Sequence, residues 1–333
     1  MRSPKVALPK ILLVSLGGTI TMTHHADGGI VPTLTAADLV QSVPGIGRIA
    51  RCETLSPLRK PGASLTVDDL IALSRMLRAP LDDDTDGAVV IQGTDTIEET
   101  AFVLDCLLDG EKPVVVTGAM RGPEAAGADG PANVMAATIV AASGTARDRG
   151  VLAVLNDEIH AARFVQKSHT ALPSAFQSPF GGAIGLVIEG AAAFHGRTAR
   201  TTHIAGPFSA TDAPVALVKM ALGDDDRLLR ALPSLGYAGA VIEGMGAGHV
   251  PAGMVAAIEA LARTMPVILA SRVPTGPVFS KTYAFPGSEI DLLGRGLIPA
   301  GSLSGLKARL LLILLLRAGQ DRDAIRATFA ASA

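Results

Sequence analysis

At 333 residues the chain is long for one hydrophobic core, because cores stop growing near about 250–300 residues and domains usually run about 100–150. Two domains are therefore expected. Apolar residues make up 48% and charged residues 18%, which fits a well-buried globular protein and excludes extended disorder. Aromatics are 3%, Trp is absent and the formal charge is −2, so neither nucleic acid nor an anionic membrane is expected as a partner.

At the N-terminus Arg2, Lys5 and Lys10 precede the apolar run 11–16. This run is shorter than the roughly 7–15 residues of a signal-peptide core, and Gly17-Gly18 follows at once, so it reads as a buried first strand. Short β-branched runs follow at 88–91, 114–117, 151–155, 215–218, 240–242 and 267–270, alternating with periodic stretches such as 65–77, 97–108 and 134–142. Such alternation predicts parallel strands covered by helices on both faces. Within 97–108, Ile97, Ala101, Leu104 and Leu108 share one helical face, Thr96 and Glu99 read as a capping box, and Gly110 lies just past the end.

The acidic run Asp82, Asp83, Asp84 and Asp86 reads as a solvated loop. Residues 180–190 read as a Gly-rich hairpin or short strand pair. Residues 191–214 lack sustained periodicity, contain Gly196, Gly206 and Pro207, and read as a linker. The expected organisation is an N-terminal α/β domain over 1–190, the linker 191–214, and a smaller C-terminal α/β domain over 215–333. The Leu-rich run 310–316 is far short of the about 20 residues a membrane span requires. Cys52 and Cys106 make no disulfide framework, and a cytoplasmic location is expected.

In an open parallel sheet, ligands bind at the carboxyl ends of the strands near a switch in strand order. The residues just past the first three strands are Gly17-Gly18-Thr19-Ile20, Gln92-Gly93-Thr94-Asp95-Thr96 and Gly118-Ala119-Met120-Arg121. Past the fourth come Asn156-Asp157 and, ten residues on, Lys167. Glycines let a substrate approach bare backbone and free N–H groups for an oxyanion. Thr19 and Thr94 supply hydroxyls, Asp95 a carboxylate and Lys167 an amine. A hydroxyl needs a proton acceptor to become a nucleophile, and a lysine serves when its surroundings depress its pKa. Singly, a Thr after Gly-Gly is a common turn residue and a Thr-Asp pair a common helix cap. Their shared position at strand ends is what points to catalysis.

The runs LGGTI (16–20), QGTDTIEETA (92–101), VVVTGAMR (114–121), GADGPAN (127–133), RGVLAVLND (149–157) and SRVPTG (271–276) resemble the bacterial L-asparaginase/glutaminase family, in the same order and with similar spacing. The resemblance runs from about residue 10 to the KAR segment at 307–309. It implies a larger flavodoxin-like parallel-sheet domain, a smaller Rossmann-like domain, and hydrolysis of the L-asparagine side-chain amide to L-aspartate and ammonia. Thr19 matches the family's nucleophile; Thr94, Asp95 and Lys167 match its second triad. Asp95 also matches the residue holding the substrate's α-ammonium group, and Ser64 the serine on its α-carboxylate. Gly18, Gly93 and Ala119 match contacts around the substrate. No metal or cofactor is implied. The family's assembly is a homotetramer, a dimer of dimers with sites at the intimate interface.

Two departures stand out. The family's mobile loop carries a tyrosine near the nucleophile, whereas residues 21–32 here hold His24, His25 and Asp27 and no Tyr. Where the family often carries a glutamate reaching the neighbouring subunit's site, this chain has Tyr283, which either supplies the missing phenol from the adjacent subunit or packs at an interface without a chemical role. Glutamine or another small amide is the alternative substrate, and a catalytically weak amino-acid-binding protein the alternative class. The run Gly244-Met245-Gly246-Ala247-Gly248-His249 is not GxGxxG, the seven histidines form no metal-ligand motif, and no GxSxG elbow is present.

Overall fold

The computed structural model describes residues 7–24, 30–32, 34–209 and 211–332; of 22–24 and 30–32 it describes the backbone alone. The chain divides into two compact units, the first ending at Thr201 and the second beginning at Thr202.

The first unit is built on an eight-stranded sheet. Its strands are β1 (Lys10–Ser15), β2 (Arg51–Leu55), β3 (Gly87–Ile91), β4 (Val114–Thr117), β5 (Val151–Leu155), β6 (Glu158–Ala161), β7 (Gly185–Ile188) and β8 (Ala191–Phe194). They lie in the order β8-β7-β6-β5-β4-β3-β1-β2. The five strands from β2 to β5 are mutually parallel, and β6, β7 and β8 extend the sheet antiparallel. The order 2-1-3-4-5 is the flavodoxin-like one, with its switch between β1 and β3.

Every residue of β3, β4 and β5 is buried. Ile11, Leu13, Val89, Ile91, Val115, Leu152 and Val154 pack with Leu39, Val43, Val134, Ala137 and Val140 on one face. Their alternates turn to the other face, where the helices Val67–Asp82 and Ile97–Leu107 pack. Full burial of each Val, Leu or Ile stabilises by about 1.5–3 kcal/mol, which explains apolar runs without polar alternation.

The edge strand β2, RCETL, is largely exposed and carries no apolar run, so nothing in its composition announces it. The hairpin read at 180–190 is displaced: β7 begins at Gly185, and its partner β8 occupies the first residues of the stretch read as a linker. Glu189 and Gly190, with φ of 50° and 75°, form the two-residue turn between them. Asn156 and Asp157, with φ of 53° and 60°, do the same between β5 and β6. Positive φ at both central residues is what a tight hairpin requires. Cys106 is fully buried in its helix.

The second unit carries a parallel sheet of β9 (Val215–Lys219), β10 (Gly239–Gly244), β11 (Val267–Ser271) and β12 (Ile298–Pro299), in chain order. Its Leu-rich run lies in the helix Gly305–Arg317, which packs on β9, β10 and β11 and is buried almost all round. A helix apolar on every side belongs in a core. No helix among the described residues is long and apolar enough to cross a membrane.

Candidate active site

The parallel strands of the first unit point their carboxyl ends at one edge, and the connections leaving β1 and β3 part there. Past β1, Gly17 and Gly18 lead into the short turn Thr19–Thr21. The Thr21 N–H and hydroxyl both donate to the Gly18 carbonyl, at 2.9 and 2.8 Å. Past β3, Gln92 and Gly93 lead into the turn Thr94–Thr96, which runs straight into the helix Ile97–Leu107.

These turns meet backbone to backbone. Gly18 has a φ of +90°, and a Cβ on it would lie 2.0 Å from the Gly93 nitrogen. A third turn, Gly62–Ser64, joins them: a Cβ on Gly62 would lie 2.8 Å from the Gly93 carbonyl oxygen. Side chains at these positions would force the turns apart. Beyond β4, a Cβ on Gly118 would lie 2.4 Å from the Gln92 carbonyl oxygen. A Cβ on Gly130 would meet both Ile20 and Ala119, at 2.9 and 3.5 Å. Thr19, Ser64, Gly93, Thr94 and Ala119 are thereby gathered into one region from four separate stretches of chain. Ser64 is exposed there, Thr19 half-buried and Thr94 buried.

Lys167 completes the group. It lies on the short strand Gln166–Lys167, paired antiparallel with Phe176–Gln177. Its Nζ donates to Thr94 Oγ1 and to Asp95 Oδ1, each at 2.9 Å. The Lys167 side chain is 18% exposed and that of Asp95 62%. An ion pair with so exposed a partner contributes about 0–1 kcal/mol to stability. Its consequence is geometric: the amine is held against a buried hydroxyl while the carboxylate stays open to a cationic ligand.

The capping box read at Thr96 and Glu99 does not form through Thr96. The Thr96 hydroxyl donates to the Gly62 carbonyl at 3.0 Å and accepts from Gln92 Nε2 at 3.1 Å, and its side chain caps no helix N–H. It thus ties the Gly62–Ser64 turn to the Thr94–Thr96 turn. Asp129 also escaped the sequence reading. It stands where a helix cap is expected, before Gly130–Ala141, yet its carboxylate accepts the N–H groups of Met120 and Arg121 at 2.9 and 2.8 Å. Asn133, one turn on, donates to the Gly118 carbonyl and accepts the Asn156 N–H, both at 2.9 Å. The DGPAN run is legible as a helix start; that its polar groups hold the neighbouring turn is not.

Of the segment 21–32, Met22–His24 and Ile30–Pro32 pair antiparallel, while His25 and Asp27 lie outside the described residues. Tyr283 belongs to the second unit and is 41% exposed. Its ring meets His249 edge-on, with centroids 4.9 Å apart, and Phe285 packs 5.1 Å from the same imidazole. Buried Glu289 accepts the N–H groups of Thr282 and Tyr283 at 2.9 and 2.7 Å, and its other oxygen lies 3.3 Å from His249 Nε2. Burial pushes the Glu289 carboxyl up, but its hydrogen bonds to backbone N–H groups, first those of Tyr283 and Thr282, together with the one to His249 hold it below its ordinary value. The run 244–249 folds back through a bridge between Met245 and His249, so it opens no dinucleotide-binding helix.

Residues 10–200 match the family model "Asparaginase, N-terminal", and residues 214–329 match "Glutaminase/Asparaginase C-terminal domain". The L-asparaginase of Bacillus licheniformis is 32% identical over 311 residues, covering 92% of this chain and 95% of that protein. The probable periplasmic L-asparaginase of Haemophilus influenzae is 32% identical over 331 residues, covering 97% and 93%. The solved structure of a probable cytoplasmic L-asparaginase from Campylobacter jejuni superposes with a TM-score of 0.85 at 28% identity, covering 97% of this chain and 99% of that one. With both family models matched in order and this architecture shared along its whole length, the chain belongs to the asparaginase/glutaminase family.

Proposed function

We propose that this protein hydrolyses the side-chain amide of L-asparagine to L-aspartate and ammonia, with Thr19 as nucleophile. The observation that carries the proposal is the Lys167 amine, held 2.9 Å from both the Thr94 hydroxyl and the Asp95 carboxylate beside the β1/β3 switch. Thr19 Oγ1 attacks the amide carbon, the C–N bond breaks, and the hydroxyl proton leaves with ammonia. Water then hydrolyses the resulting ester and restores the hydroxyl. Thr94 and Lys167 relay the proton for one or both steps. The exposed Asp95 carboxylate holds the α-ammonium group, and the Ser64 turn receives the α-carboxylate. Backbone at Gly18, Gly93 and Ala119 surrounds the carboxamide.

Tyr283, presented from an adjacent copy in a dimer of dimers, supplies the phenol absent from residues 21–32. Its exposure and the aromatic shelf of His249 and Phe285 support this role. Near wild-type kcat in Tyr283→Phe would remove it. A cytoplasmic location is part of the proposal and is tested by cell fractionation.

Glutamine is the second reading, supported by the description of the matched C-terminal domain. One methylene is worth only about 1–3 kcal/mol in a pocket, so the two amides must be compared directly. The test is ammonia release from L-asparagine, D-asparagine and L-glutamine, with Thr19→Ala as control. Release from L-asparagine that vanishes in Thr19→Ala is the expected result. Saturable binding without release from any amide would make the protein a sensor and refute the proposal.

A further inference from the structure

We infer that His160, acting through Ser178, is a positioning residue for Lys167; the inference rests on the catalytic reading of Lys167 proposed above. Lys167 stands outside the eight-stranded sheet, on a two-residue strand whose register is Lys167 opposite Phe176 and Gln166 opposite Gln177. Isolated ribbons of two strands are marginal even at full length, so the height of Lys167 over Thr94 has to be set by anchors.

One anchor is covalent and local. β6 ends at Ala161, and the Val165 N–H donates back to the Ala161 carbonyl at 3.1 Å just before the ribbon begins. The other anchor crosses to the ribbon's far strand. Ser178, the residue following Phe176–Gln177, brings its hydroxyl to 3.0 Å from His160 Nδ1. His160 is 1% exposed and Ser178 7%. The backbone of His160 is held in the sheet, because β6 is bonded in register to β5 with Ala153 opposite His160. Its Nε2 lies 3.4 Å from Glu158 Oε2, two residues back on the same face of the strand.

A buried polar pair is costly to leave unmatched, and it fixes direction where an apolar contact would allow sliding. The His160–Ser178 bond therefore sets the position of Ser178. Phe176 lies two residues before Ser178, and Lys167 lies opposite Phe176. Beyond the His160–Ser178 bond, the strands are joined where the Ser168 N–H donates to the Ala175 carbonyl at 2.7 Å, Phe176 is buried, and the Lys167 N–H reaches Glu98 Oε1 at a long 3.4 Å. Loss of the His160 bond lets the ribbon move and lengthens the contact between Lys167 and Thr94. A displacement near 1 Å costs about 10²-fold in rate.

The test measures ammonia release by His160→Leu, Ser178→Ala, Lys167→Met and the doubles His160→Leu/Lys167→Met and Ser178→Ala/Lys167→Met. His160→Leu and Ser178→Ala are expected to lower kcat about 10- to 100-fold with KM nearly unchanged. In the Lys167→Met background the same changes have no further effect, because the residue through which they act is gone. Additive losses in the doubles, or a rise in KM at unchanged kcat, would overturn the inference. Should His160→Leu not fold, Ser178→Ala carries the same comparison by removing one hydroxyl. Wild-type kcat in both single variants while Lys167→Met is inactive would refute this inference alone. Full activity in Lys167→Met would refute the assignment of Lys167 and this inference with it.

Discussion

Replacing Lys167 by Met separates catalysis from stability. The side chain keeps its length and loses two hydrogen bonds of 2.9 Å, one to Asp95 and one to Thr94. With the Asp95 side chain 62% exposed, the ion pair contributes about 0–1 kcal/mol. Thr94 is 6% exposed, and leaving its oxygen without a donor costs about 1–3 kcal/mol. Together these lower stability by about 1–4 kcal/mol, and at about 2–4 °C per kcal/mol for a unit of this size the melting temperature falls by about 2–16 °C. A positioned acid–base group contributes about 10²–10⁴-fold to rate, so kcat for asparagine should fall by that factor. Steady-state ammonia release and calorimetry on the same preparation read both quantities. A kcat within threefold of wild type would refute the role of Lys167, and so would a rate loss matched by general unfolding at the assay temperature.

Gly18→Ala places a Cβ 2.0 Å from the Gly93 nitrogen at a φ of +90°, so it should abolish asparagine turnover, whereas Gly110→Ala, with nothing within 4 Å, should leave it unchanged. Equal activities would show that the close packing of the two turns is not required. Asp129→Ala removes the acceptor for the Met120 and Arg121 N–H groups, and should destabilise by at least about 1.5–3 kcal/mol in urea titration while also slowing turnover. Unchanged stability would mean those N–H groups find other partners. Asp105 is buried and its carboxyl is raised above its ordinary value of 3.8, chiefly by burial against the N–H groups of Val151 and Thr201. The native state therefore keeps a proton that the unfolded chain has released, and stability falls as pH rises from 3.8 through the folded value. Asp105→Asn should flatten that fall; a stability difference between the two proteins that is constant across this pH range would contradict it.

Much of the fold is legible without coordinates. β4 and β5 occupy the residues that the apolar runs mark, and β1, β3, β9, β10 and β11 differ from their runs by a residue or two at an end. A strand buried on both faces must be apolar at every position, so its environment is written in its own composition. Thr19, Thr94, Asp95 and Lys167 were likewise legible as residues following strands. β2 and β8 were not: each is an edge strand, Arg51 and Glu53 of β2 are exposed and polar, and the short β8 alternates exposed with half-buried residues.

The sequence by itself determined that strands and helices alternate, that glycine-rich turns end β1 and β3, and that threonines stand in those turns. Local sterics and burial suffice for each of these. Only the tertiary structure decided that the turns meet through Gly18, Gly62 and Gly93, that Lys167 reaches Thr94 across 73 positions of chain, and that Thr96 bonds Gly62 across 34 in place of capping its helix. Such contacts depend on strand order. The stretch between β1 and β3 must run out to β2 and return, and no window of local sequence records where a distant hydroxyl or carbonyl will lie.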